Sequence, residues 1–154
     1  MHFVSTRNLF QILIILIYYL VNLTEASDFD YTIYVVNGLP DNSHLLRVHC
    51  FSGDDDLGYH DLKVNENIHW TFTPNRFGTT KFYCHLWWND KERGFGAYTR
   101  RIAEFYCNNR STGIGGLCWW LPKSDGIYIA NVTNPPSNYL IKVNDWMPIG
   151  SGGV

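Results

Sequence analysis

Four cysteines, Cys50, Cys84, Cys107 and Cys118, all lie downstream of an apolar N-terminal stretch, and this arrangement constrains the chain more than any other feature. Arg7 supplies a positive charge, Leu9 to Val21 form an apolar run interrupted by Gln11, and Thr24-Glu25-Ala26 ends on a small residue. That is the pattern of a secretory signal with its cleavage site. The expectation is a leader over residues 1–26, removed after Ala26, and one exported domain over residues 27–154. A membrane anchor fits less well, because an uncharged run of about 14 to 17 residues falls short of the ~20 needed to span a bilayer.

An even number of cysteines in an oxidising compartment implies two disulfides. Zinc ligation fits poorly, since no two cysteines have Cys-x-x-Cys spacing. Four cysteines allow three connectivities. The apolar residues of Leu46, Val48 and Cys50 alternate with Arg47 and His49, and Phe82, Cys84, Leu86 and Trp88 repeat the period of two. Cys50 and Cys84 thus both face inward, which favours a bond between them and leaves Cys107 with Cys118 around the Gly-rich 108–116 loop. The other connectivities stay open.

Beyond residue 28 the chain is a series of short runs rich in Val, Ile, Tyr, Phe, Trp and Thr, broken by Gly, Pro, Asn and Asp. Strands are expected over residues 31–37, 44–52, 66–73, 79–88, 94–100, 102–107, 117–121, 126–130 and 139–143. Turn chemistry separates them at Asn37-Gly38, Ser52-Gly53-Asp54, Pro74-Asn75, Ser124-Asp125-Gly126 and Asn134-Pro135-Pro136. No amphipathic helix is evident. The expected class is all-β, an antiparallel sandwich or barrel.

A net charge of -2 argues against a polyanion-binding protein, so nucleic acid is not an expected partner. Lys91, Arg93, Arg100 and Arg101 form a local basic cluster, which Asp90 and Glu92 dilute, and it reads as a solvated face. The 25 aromatic residues (6 Trp, 10 Tyr, 9 Phe) are expected mainly in the core. The pairs Trp87-Trp88 and Trp119-Trp120 differ, because on a strand only one member of each can face inward. Trp87 and Trp119 are therefore candidate exposed aromatics for a protein partner or a cell-wall glycan.

Asp54-Asp55-Asp56 is an acidic run in a turn. Its spacing does not suit an EF-hand, and it is read as turn capping or, alternatively, as a recognition loop. His49, His60, His69 and His85 raise the question of a hydrolase. Cys84-His85-Leu86-Trp87 is similar to a histidine motif of secreted ribonucleases but lacks its flanking Gly and Pro, and no second histidine motif follows. With no nucleophile elbow, zinc-protease motif or phosphate-cradling loop, neither catalysis, a metal nor a cofactor is expected. Asn109-Arg110-Ser111 and Asn131-Val132-Thr133 are glycosylation sequons.

One run carries a resemblance. Val48-His49-Cys50-Phe51-Ser52-Gly53-Asp54-Asp55-Asp56-Leu57-Gly58 resembles the hallmark of the plant self-incompatibility protein S1 family, the S-protein homologues. Trp70-Thr71-Phe72, the stretch from Phe77 to Cys84, Cys118-Trp119-Trp120 and Asp125-Gly126-Ile127-Tyr128 extend the likeness over nearly all of the expected mature chain. The resemblance implies a small, secreted, disulfide-bonded β-sandwich with no catalytic residues. It also implies a plasma-membrane receptor or other extracellular protein as partner, since the founding members are stigma ligands that engage a pollen receptor and arrest tube growth.

Overall fold

Side-chain alternation along short strands builds two sheets that face each other. The computed structural model describes residues 6–23, 30–107 and 115–151. Helix α1 (Thr6–Leu23) precedes β1 (Tyr31–Val36), β2 (Leu46–Phe51), β3 (Asp56–Leu62), β4 (Asn67–Phe72), β5 (Phe82–Trp88) and β6 (Lys91–Tyr98). A helical corner follows, Arg100–Ile102 running into a π-helical turn Ala103–Cys107, and then come β7 (Gly116–Lys123), β8 (Gly126–Ala130), β9 (Ile141–Asn144) and β10 (Met147–Pro148). The apolar side chains of α1 from Leu9 to Ile17 stand at least half exposed, and no described helix is long and apolar enough to cross a membrane.

Sheet A runs in the order β4-β1-β7-β8-β9 and sheet B in the order β10-β6-β5-β2-β3. The architecture is the expected β-sandwich, with one departure from a purely antiparallel plan: β1 and β7 run parallel, from Tyr31 opposite Gly116 to Val35 opposite Trp120. The inner faces follow the alternation. Leu46, Val48, Cys50, Cys84 and Leu86 of sheet B meet Ile33, Val35, Trp120, Ile127 and Ile129 of sheet A, all almost fully buried. Each such side chain contributes about 1.5–3 kcal/mol of hydrophobic stabilisation. The buried Trp120 donates its indole N–H to the Ala97 carbonyl at 3.0 Å, which ties sheet A to sheet B.

Cys50 and Cys84 are direct partners across β2 and β5 and are bonded to each other on the inner face of sheet B. Cys107, at the end of the helical corner, is bonded to Cys118 on β7. The 108–114 loop that this bond closes lies outside the described residues.

Asn37 is fully buried where β1 ends, yet all its polar groups are used. Its side chain donates to the Leu62 carbonyl and accepts from Leu39 N–H, each at 2.9 Å, while its backbone bonds Glu66 and Asn65. The β7–β8 hairpin closes at Gly126, whose φ is +153° and whose position leaves a side-chain carbon only 2.7 Å from the Asn144 carbonyl oxygen. Glycine is the residue for such a close approach.

Two stretches depart from the expected strands. Residues 102–107, expected as a strand, are helical: Thr99 caps the turn by accepting from Ile102 N–H, and Arg100 pairs with Glu104 at 2.9 Å, four residues on. Residues 56–62, expected as part of a loop, form the edge strand β3. Its start carries a turn-like device, in which Asp56 accepts from the N–H of Gly58, a glycine at φ +76°. β6 also begins three residues earlier than expected, because Asn89 at φ +54° lets Asn89-Asp90 make a two-residue hairpin.

Candidate functional site

The side chains left over from core packing form a grid on the outer face of sheet B. Pairing registers set three rows across strands β3, β2, β5 and β6. The first row is Asp61, Arg47, Trp87 and Glu92; the second is Tyr59, His49, His85 and Gly94; the third is Asp56, Phe51, Tyr83 and Gly96. The third row is displaced at β3 by a register shift between His49 and Phe51.

Rings stack along this grid. His49 lies on Tyr59 with centroids 4.2 Å apart and planes 13° from parallel, and His85 lies on Trp87 at 4.1 Å and 7°. Phe51 continues the series between His49 and Tyr83, and Tyr59 approaches Trp87 at 6.0 Å. Tyr59 is the most open ring of the group, 64% exposed.

Charge pairs frame the rings. Arg47 holds Asp61 with two hydrogen bonds of 2.8 and 3.0 Å, and this keeps the Asp61 carboxyl below its ordinary pKa. His49 Nε2 lies 2.8 Å from Asp56, whose carboxyl is lowered first by the Gly58 N–H and then by His49. His85 Nε2 lies 3.0 Å from Glu92, which also accepts from Gly150 N–H at 2.7 Å. That backbone bond is the main reason the Glu92 carboxyl stays low; burial opposes it and His85 assists it. By solvent exposure Glu92 is buried, under the segment around β10.

The four candidate histidines do not converge. His49 and His85 are cross-strand neighbours that bond different carboxylates, His60 bonds the Leu57 carbonyl, and His69 stacks on Tyr34 on the outer side of sheet A. The two His–carboxylate pairs line none of the described clefts, although one of these clefts reaches the grid at Tyr83, Gly94 and Gly96. Among the described residues no three His, Cys, Asp or Glu side chains are placed to hold a metal ion.

The expected exposed aromatics need correction. Trp119 does face away from the core, as parity requires, yet it is only 7% exposed, because Val36, Ala130 and Leu140 pack with it into a second apolar cluster on the outer side of sheet A. Trp87 is on the outer face of sheet B but half-buried, with one ring face covered by His85. The acidic run divides. Asp54 and Asp55 are exposed and their carboxylates have no partner among the described residues, whereas Asp56 belongs to β3 and is committed to Gly58 and His49. The turn itself is held by Ser52, whose hydroxyl accepts from the N–H groups of Asp54 and Asp55. Asn131 follows β8 at partial exposure, and Asn109 lies outside the described residues.

Comparison with known proteins places this geometry. The sequence model of the family "Plant self-incompatibility protein S1" matches residues 32–146, which span both sheets. The chain is 38% identical over 101 residues to S-protein homolog 21 of Arabidopsis thaliana, covering 63% of this chain and 71% of that protein. It is 36% identical over 89 residues to S-protein homolog 24 of the same plant, covering 57% of this chain and about half (54%) of that relative. With the self-incompatibility protein S1 of Papaver rhoeas it shares 30% identity over 125 residues, 79% of this chain and 82% of that one. A solved S-protein homologue, described as one of a widespread family of small, highly stable, secreted plant proteins, superposes with a TM-score of 0.55 at 19% identity, over 77% of this chain and 95% of that one. With the hallmark run on β2 and β3, the tryptophans on β7 and a family match that reaches from β1 to Trp146, the chain belongs to the plant self-incompatibility protein S1 family.

Proposed function

We propose that the chain is exported, with residues 1–26 as a leader cleaved after Ala26, and that residues 27–154 act outside the cell as a protein ligand for a plasma-membrane receptor. The observation that carries this reading is the outer grid of sheet B. Rings and an Arg–Asp pair are laid out on an open, rigid face, the composition from which protein-binding surfaces draw their energy. The Papaver relative is named a self-incompatibility protein, which supports a role in recognition between cells. A non-catalytic role fits two His–carboxylate pairs that line none of the described clefts. A cell-wall glycan is the lesser reading, because sugar rings stack on open aromatic faces, whereas Trp119 is buried and Trp87 has one face covered by His85. N-glycans at Asn109 and Asn131 belong to the same proposal.

The test is saturable binding of labelled, secreted protein to intact cells of the tissues that meet the producing tissue. The reading expects binding, compared at equal amounts of folded protein, that is weakened by Tyr59→Ala and by Arg47→Gln. Binding unchanged in both variants moves recognition away from sheet B. Retention on wall polysaccharide with no saturable membrane binding overturns the receptor reading.

A further inference from the structure

Strands β6 and β9 lie on the same open side of the sandwich. β9 ends sheet A, and β10 covers β6 only at Lys91 and Glu92, so from Arg93 to Gly96 β6 has a neighbouring strand on one side only among the described residues. In a strand half of the backbone N–H and C=O groups point to each side, so this length of β6 offers donors and acceptors that no described strand takes. Gly94 and Gly96 leave that backbone without side chains on the outer face.

Beside this edge runs a groove of about 620 Å³, bounded by Phe95 and Val143 and walled by Arg101 and Phe105 of the helical corner. Its lining contains two arginines and no carboxylate, in a chain whose formal charge is -2. The Arg93 guanidinium donates to Asn144 on β9 at 2.8 Å, while its Nε is buried with no acceptor among the described residues. Arg101 is exposed and sits over the Phe105 ring at 6.0 Å, and that ring is itself 70% exposed. The nearby Glu104 is engaged with Arg100 and leaves the groove's positive charge uncompensated. Sequence composition alone makes Arg93 and Arg101 part of a solvated basic face; the fold turns one of them toward the other sheet and props the second against an open aromatic ring.

We propose that this groove receives an extended, acidic peptide segment of a partner protein, added as a strand to the free edge of β6, with its carboxylates at Arg93 and Arg101 and an apolar side chain against Phe105. Edge addition takes its affinity from main-chain bonds and its selectivity from every second side chain, and here selectivity is electrostatic. The groove adjoins the outer grid of sheet B, sharing Tyr83, Gly94 and Gly96 with it, while Arg101 and Phe105 lie outside the grid, so substitution at Arg101 tests the groove alone.

The probe is a fluorescein-labelled hexapeptide of alternating Glu and Val, whose Glu side chains all share one face and reach the arginines in the register that turns that face to the groove, compared with its Lys-Val counterpart. Fluorescence anisotropy with the secreted protein is expected to show saturable binding of the Glu peptide only, and Arg101→Glu, at an exposed position, weakens it by about tenfold with an unchanged melting temperature. Hydrogen exchange is expected to show new protection of the Arg93–Gly96 amides. Equal binding of both peptides, no saturable binding of the Glu peptide, indifference to Arg101→Glu, or protection at the β3 edge instead each overturns the proposal.

Discussion

His49 and His85 are direct partners across β2 and β5, and each turns its Nε2 away from the other toward a carboxylate on the strand beyond, Asp56 on β3 and Glu92 on β6. Two imidazoles side by side are thereby each given a separate hydrogen-bond partner, and four strands are linked through their outer face.

The carboxylates of these pairs, together with Asp61, have pKa values lowered in the fold. A carboxyl group lowered on folding contributes stability above its unfolded pKa, and the contribution is lost as pH falls through the folded value. The melting temperature is therefore expected to decline once pH drops below about 4. Glu92→Gln lowers stability at neutral pH and makes the acid decline shallower; parallel curves for the two proteins exclude Glu92 as a contributor.

Trp119→Ala opens a cavity in the outer cluster of sheet A and is expected to cost about 3–5 kcal/mol in urea unfolding. Trp87→Ala, at a half-buried position, costs distinctly less. A reversal of that order contradicts the burial of Trp119 beneath Leu140.

Asn37→Leu retains bulk but removes the bonds to the Leu62 carbonyl and Leu39 N–H, leaving both groups buried without those partners. An expected loss of about 2–4 kcal/mol follows from two unsatisfied buried groups. The urea midpoint measures it, with an unchanged m-value as the sign that the fold persists.

The two disulfides close loops of unequal length, with sequence separations of 34 and 11. Chain entropy assigns about 4 kcal/mol to the Cys50–Cys84 bond and about 3 kcal/mol to Cys107–Cys118. Paired Cys→Ala variants are expected to follow that order, and non-reducing peptide mapping of the secreted protein checks the connectivity.

Asp54→Ala and Asp55→Ala are expected to leave the melting temperature unchanged, since neither carboxylate has a described partner. Asp56→Ala lowers it, because the Gly58 N–H and His49 both lose an acceptor. Equal effects from all three substitutions would falsify this division of the acidic run.

What the sequence made legible was whatever depends on alternation. The inward phase of Cys50 and Cys84 was visible in Leu46, Val48, Phe82 and Leu86 before any pairing was known. The grid on the outer face was not, because it depends on register: Tyr59, His49 and His85 become neighbours only when β3, β2 and β5 align, and β3 hides in a run with an Asp and a Gly where turns are expected. Trp119 shows a second limit, since parity says which face a residue occupies and nothing of what later covers it. The helical corner was misread because Ile102, Phe105 and Tyr106 favour strands, although Thr99 as a cap and the Arg100–Glu104 spacing were signals available to a closer reading.

The parallel pairing of β1 with β7 bears on the order in which the domain is built. Four strands of sheet B come from the length Leu46 to Tyr98, which also carries β4 of sheet A between β3 and β5, and sheet B contains the Cys50–Cys84 bond entirely within itself. Sheet A cannot close until the strand beginning at Tyr31 finds the one beginning at Gly116, a contact of long sequence separation and slow formation. Oxidation is thus expected in sequence: the first bond joins β2 to β5 across a separation of 34 residues, and the second fixes the helical corner to β7, the strand that must reach β1 from the far end of the chain.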